Sequence, residues 1–339
     1  MRFDATLPPE PDLTPSVARA LEAEGCDGLW MGELAHDPFL MALRAIDATE
    51  RVAIGTSVAI AFARTPTTLA NSAYDLARYS RGRFVLGLGS QIKAHIERRF
   101  SMPWSHPAAR MREFVLALRA IWATWHEGTR LDYQGEFYSH TLMTPMFSPA
   151  PHQWGPPPVY LAGVGELMTA VAGEVGDGFF LHAFTTSRYV DEVTRPALLR
   201  GRAAAGRDGL DGFSVSGPSF VAIGRDEAEL ATAIAGTKKQ IAFYASTPAY
   251  RPVLDLHGWG DVQPELTTLS KQGRWDDMTG LIDDTMLAAF AVVGSPADAG
   301  RAFAEKFGGF VDRATAYAPY KVDADVWPEF LAAARAASP

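Results

Sequence analysis

Glu33 and His36 stand three residues apart, just after the apolar run Gly28-Leu-Trp-Met-Gly32 and just before Asp37-Pro38. A histidine there can give or take a proton near neutrality, because its ordinary pKa is about 6.5. A carboxylate three residues earlier can tune it. A lone histidine ahead of a helix is also a common capping or packing residue, so position must decide between the two readings. Thr56, Ser57 and Val58 close a second apolar run, Arg51–Val58, with Arg64 shortly after. Two Gly-x-Gly turns close others: Gly87-Leu-Gly89, continuing into Ser90 and Gln91, and Gly163-Val164-Gly165 after Ala162. Neither completes Gly-x-Gly-x-x-Gly, since Ile92 and Met168 occupy the last position, which excludes the dinucleotide fingerprint. The second turn feeds a helical segment from Glu166, where bare N–H groups and the positive helix end can hold a phosphate. A plain left-handed turn would carry the same sequence. His182, beside Phe180 and Phe184, reads as a site residue or as packing at a barrel mouth. Lys93, His95, Arg98 and Arg99 form a basic run that suits an anionic tail or a solvated helix face.

Other chemistries lack their residues. No His-x-His or His-Glu-x-x-His spacing occurs, and Asp276-Asp277 and Asp283-Asp284 carry no ligand pattern, so no metal is expected. Gly55-Thr-Ser-Val-Ala59 is not a nucleophile elbow. The aromatic residues Trp104, Phe147, Trp154, Trp259 and Trp275 fall outside the regular pattern, as a lid over a flat ligand or as local core.

The elements that must position these residues are short apolar strands alternating with amphipathic helices. Strands are expected at Arg2–Leu7, Gly28–Gly32, Arg51–Val58, Arg83–Gly89, Val159–Ala162, Gly178–His182, Phe213–Ile223 (interrupted at Gly217-Pro218) and Val311–Tyr317. Thr14, Asp37 and Thr65 are expected to cap helices that carry Pro at their first position. Strands apolar on both faces argue for a parallel sheet covered by helices. Eight such units in 339 residues predict one α/β domain over 1–339, a (β/α)8 TIM barrel. A doubly wound sheet is the alternative. A barrel of about 250 residues leaves about 90 over, assigned to insertions near 92–157 and 248–285. In such a barrel the candidate residues gather at the carboxyl ends of the strands, where active sites form.

Composition narrows the partners. With 31 basic and 39 acidic residues the net charge is −8, a field that repels nucleic acid. The lone Cys26 excludes a disulfide framework. No apolar run approaches the ~18 residues of a membrane span, and the start lacks a signal peptide's basic and apolar regions, so a cytoplasmic protein is expected.

Glu33-Leu-Ala-His36-Asp-Pro-Phe39, Arg51-Val-Ala-Ile-Gly-Thr-Ser-Val58, Leu69-Ala with Asp75-Leu, and Gly82-Arg-Phe-Val-Leu-Gly-Leu-Gly-Ser-Gln91 together resemble the luciferase-like monooxygenase superfamily. The stretch Gly89–Phe100 is similar to its branch dependent on the deazaflavin coenzyme F420. Similarity extends through Tyr160–Gly165, Gly176-Asp-Gly-Phe179 and Phe290–Pro296.

The resemblance implies a barrel holding F420 at its C-terminal rim, with a non-proline cis peptide near Ser57-Val58 behind the ring. It implies Gly89, Ser90 and the Ala162–Gly165 turn at the ribityl-phosphate; Thr56, Gln91 and His182, at the ends of their strands, are the other expected cofactor contacts. His36 matches a cofactor-facing histidine of the F420 enzymes and is expected to handle a proton, with Glu33 three residues earlier as its helper. The function implied is hydride transfer between the deazaflavin C5 and a small organic substrate. An FMN-dependent two-component monooxygenase and a non-catalytic flavin-binding barrel are the other readings. Leu40 stands where the sugar-phosphate dehydrogenase relatives carry Trp, and Gln91 lies near where they carry an acid, which argues against glucose 6-phosphate as substrate. Relatives also imply a homodimer.

Overall fold

The computed structural model describes residues 1–307 and 309–338. The main parallel strands are β1 (Arg2–Thr6), β2 (Gly28–Met31), β3 (Ala53–Thr56), β4 (Phe84–Gly89), β5 (Val159–Ala162), β6 (Gly178–Phe180), β7 (Ser214–Ile223), β8 (Ala291–Gly294) and β9 (Arg313–Tyr317), and the two-residue strand Ala59–Ile60 pairs with the end of β4. The order β9-β1-β2-β3-β4-β5-β6-β7 closes on itself through β7–β9 pairing, which makes a TIM barrel. Strand β8 stands outside this ring. It extends only the far end of β7, from Phe220 to Ile223.

All eight expected strands form the ring. The expected break in β7 does not occur, and the register explains why Pro218 is tolerated. Ser214–Ser216 pair with β6, Ser216–Phe220 with β9, and Phe220–Ile223 with β8. The missing N–H of Pro218 falls on the flank where β6 has ended and β8 has not begun, so no ladder bond is lost.

Helices cover the barrel outside. In α1 (Thr14–Ala23) Thr14 does not cap as expected; the cap position belongs to Leu13, and the Thr14 hydroxyl donates to the Glu10 carbonyl. Asp37 does cap α2 (Pro38–Ala48), accepting from the N–H of Phe39 and Leu40, and Thr65 caps α3 (Pro66–Tyr79). The segment 92–157 is only partly an insertion. It holds α4 (Lys93–Arg98) and a small hairpin pairing Tyr133-Gln134 with Ser139-His140, but also α5 (Pro107–Glu127). That helix buries Met111, Phe114, Leu118, Ile121 and Trp122 against the main core and is the regular partner of β4. Segment 248–285 folds into short helices, Arg251–Leu256, Val262–Lys271 and Trp275–Thr279. They pack with helix Glu227–Ala245 around Phe184, Phe220 and Phe290 in a second apolar cluster. No helix among the described residues is long and apolar enough to cross a membrane.

Inside the ring, Trp30, Val85, Tyr160 and Phe180 form one aromatic-rich layer. Gly87 makes room for it, because a Cβ there would land on the Thr56 carbonyl and the Phe180 ring. Below sits a buried ion pair, Asp4 with Arg313, to which Trp30 Nε1 also donates.

Candidate active site

A cavity of about 1160 Å³ takes in the carboxyl ends of the strands and continues past Phe3, Leu21 and Phe330 beside the start of β1. Ser57, Val58, Gly89, Ser90, Gln91, Ala162, Gly163, Val164, Gly165 and His182 all line it. Parallel strands put their carboxyl ends on one rim, so residues spread over 126 positions of sequence become neighbours. Three expected site residues do not line the cavity. Thr56 is fully buried; its hydroxyl donates to the Gly87 carbonyl at 2.7 Å and accepts the Gly87 N–H at 2.9 Å. It stitches β3 to β4 just past their ladder. Glu33 accepts from the Ile60 N–H at 2.8 Å and from Arg64 Nη1 at 2.6 Å, while Arg64 also reaches Asp37. This carboxylate anchors the segment after β3. His36 is exposed ahead of α2 and does not line the cavity.

One side of the cavity is a backbone cradle. The Ser57-Val58 peptide is cis, as the resemblance implied. Gly89 passes so close to Val58 that a Cβ would stand 2.7 Å from its Cγ2. Gln91 takes a left-handed backbone, φ 60°, and its Oε1 accepts the Ile92 N–H. At the second turn neither glycine is left-handed. Gly165, with φ −78° and ψ 151°, is the N-cap of α6 (Glu166–Val175), and no side chain caps that helix. A Cβ on Gly165 would meet nothing within 4 Å. The first-turn N–H groups of α6 are therefore left for a ligand, and a phosphate fits such an end. Lys93 lies on the rim beside Gln91. The rest of the basic run is dispersed, with Arg99 donating to the Leu34 carbonyl.

The other side is a wall of His182, Tyr244, Tyr250 and Tyr317. His182 Nδ1 accepts the Phe184 N–H at 3.0 Å, and Nε2 lies 3.3 Å from Tyr250 Oη. Protein encloses the ring except where its edge meets the cavity, and that burial pushes its pKa down to about 4. Burial likewise pushes the Tyr250 phenol up to about 12 and raises Tyr317, next to Tyr244. The three tyrosines escaped the sequence reading. Tyr317 ends β9, so the strand-end rule that found the other rim residues also applied to it. Tyr244 and Tyr250 come from a helix and a turn whose placement no local pattern gave. Of the aromatic residues outside the regular pattern, Trp104 lines the cavity, whereas Trp259 stacks on His257 and Trp275 packs near Phe243.

The family model described as luciferase-like monooxygenase matches residues 4–313. An uncharacterized protein of Mycobacterium tuberculosis (strain ATCC 25618 / H37Rv) is 54% identical over 313 residues, 92% of each chain. An F420-dependent glucose-6-phosphate dehydrogenase of Rhodococcus erythropolis is 33% identical over 189 residues, 54% of each chain. Among solved structures, the coenzyme F420-dependent tetrahydromethanopterin reductase of Methanopyrus kandleri superposes with a TM-score of 0.79 at 21% identity. It covers 97% of this chain and 96% of its own, a likeness of fold. With the barrel and a family match over nearly the whole chain, this protein belongs to the luciferase-like monooxygenase family.

Proposed function

We propose that the protein is an oxidoreductase that binds coenzyme F420 and passes a hydride between the deazaflavin C5 and a small organic substrate. The observation that carries this reading is the uncapped end of α6 beside Gly165, which faces the same cavity as Val58 and Gly89. The N–H groups of Glu166 and Leu167 hold the phosphate. Val58 and Gly89 flank the ring, while Gln91 and Lys93 lie where an anionic tail leaves the cavity. The choice of F420 rests on relatives named for that coenzyme. The cofactor, when bound, supplies the hydride chemistry; the protein binds it, keeps water from the ring and handles the proton. Titration followed by cofactor fluorescence tests the assignment. F420 is expected to bind with a micromolar or tighter Kd and FMN far more weakly, and the reverse order would overturn it.

For the proton we propose His36, which follows β2 and directly precedes Asp37 of the Glu33–Arg64–Asp37 network. His36→Ala is then expected to lower turnover by about a hundredfold or more while leaving F420 affinity within about twofold. An unchanged rate would make His36 a surface residue and nothing more.

A further inference from the structure

We propose that Tyr250, its hydroxyl oriented by His182, donates a hydrogen bond to the oxygen of an uncharged, largely apolar carbonyl or alcohol substrate. The identification of that ligand as a substrate rests on the oxidoreductase reading above; the binding site itself does not.

The argument starts from one proton. His182 Nδ1 accepts the Phe184 N–H, so the single N–H of the neutral imidazole is on Nε2, which faces Tyr250 Oη at 3.3 Å. Tyr250 Oη is thus the acceptor in that bond, and its own hydrogen is free to point into the cavity. His182 remains neutral through the ordinary pH range because burial holds its pKa near 4. The arrangement therefore presents a fixed donor, not a titrating one. A donor on a cavity wall calls for an acceptor, and a carbonyl or hydroxyl oxygen satisfies it.

The surroundings limit what else the ligand carries. The charged residues along the cavity are Asp4, whose side chain is fully buried, Glu24 and Lys93. Asp4 is neutralised by Arg313 in the barrel, Glu24 follows α1, and Lys93 stands on the opposite rim by Gln91. None of the four wall residues is a cation. An anionic group here would lose its water without a counter-ion, a loss that disfavours it strongly. The ring faces favour apolar bulk: His182 lies 4.8 Å from Tyr244 and 4.6 Å from Tyr250 between centroids, and Phe220 stacks behind Tyr317 at 5.1 Å. A sugar phosphate is the wrong ligand for this wall.

Acetophenone, its oxygen-free analogue ethylbenzene, and benzoate make the test, with binding read by ligand-observed NMR on the full chain with and without F420. Acetophenone is expected to bind about tenfold more tightly than ethylbenzene, the value of one net hydrogen bond. Tyr250→Phe should erase that preference, and benzoate should compete poorly. The tenfold preference should stay flat from about pH 5 to about pH 9, because His182 does not titrate there. This last measurement needs no variant. A preference that survives Tyr250→Phe, or that is absent from the unmodified protein, overturns the proposal. So does effective competition by benzoate, and a break near pH 6.5 removes His182 from its positioning role. F420 titration of the same samples is independent: lost F420 binding with the ketone preference intact would overturn the cofactor reading alone.

Discussion

Arg313→Ala is expected to destabilise the folded protein by about 3–5 kcal/mol, the range for removing one partner from a buried ion pair. Arg313 Nε and Nη2 bind Asp4 Oδ2 and Oδ1 at 2.8 and 2.7 Å, a bidentate contact, and the two side chains are 4% and 0% exposed. The guanidinium also lies 5.2 Å from the Trp30 ring centroid. Burial raises the Asp4 carboxyl above its ordinary range, while Arg313 and the Trp30 N–H work against the rise. Without Arg313, only Trp30 Nε1 at 2.8 Å would remain to satisfy a carboxylate cut off from water. The pair also joins β9 to β1, the seam where the last strand closes the ring. Side chains alternate along a strand, so Arg313, Thr315 and Tyr317 share the inward face and the lost anchor is transmitted to the tyrosine wall. Urea denaturation of both proteins measures the loss. A difference below about 1 kcal/mol would show the pair to be dispensable, and Asp4→Leu combined with Arg313→Met should recover much of the stability.

The ring of strands was legible because each strand is a short, largely apolar run spaced from the next by a helical segment, and parallel strands need no partner-specific signal. The rim followed from it, since a parallel barrel sends every carboxyl strand end to one face. What the runs do not encode is which way each strand-end side chain points. Thr56 resembles a ligand contact in sequence, yet its hydroxyl turns onto the Gly87 backbone and bridges β3 to β4. Glu33 likewise turns toward Arg64 and the Ile60 N–H. Segment 92–157 read as an insertion because the irregular stretch before α5 hid the fact that this helix covers β4 like any other barrel helix. The wall of His182, Tyr244, Tyr250 and Tyr317 was the least accessible feature. It draws on four elements 135 positions apart at the extremes, and its chemistry exists only in the His182–Tyr250 contact.

Gly165→Val is expected to weaken F420 binding by about a hundredfold or more while leaving the fold intact. Its φ of −78° and ψ of 151° are open to any residue, and an added Cβ meets no neighbour within 4 Å. The stability loss should stay near 1 kcal/mol, the scale of a poor N-cap residue. The same empty space is the approach to the first-turn N–H groups of α6, where a phosphate must sit to use them. Two hydrogen bonds to an ionised group, each worth about 1.5–3 kcal/mol, would be lost together. That sum is at least about 3 kcal/mol, which converts to the hundredfold. Gly163→Val is the less clean experiment, because a Cβ there presses on the Met168 side chain at 2.8 Å and mixes packing with binding. Melting temperature and fluorescence titration on one preparation separate the two contributions. An affinity within about threefold of the unmodified protein would place the phosphate away from α6, since no ligand oxygen could share that space with a branched side chain.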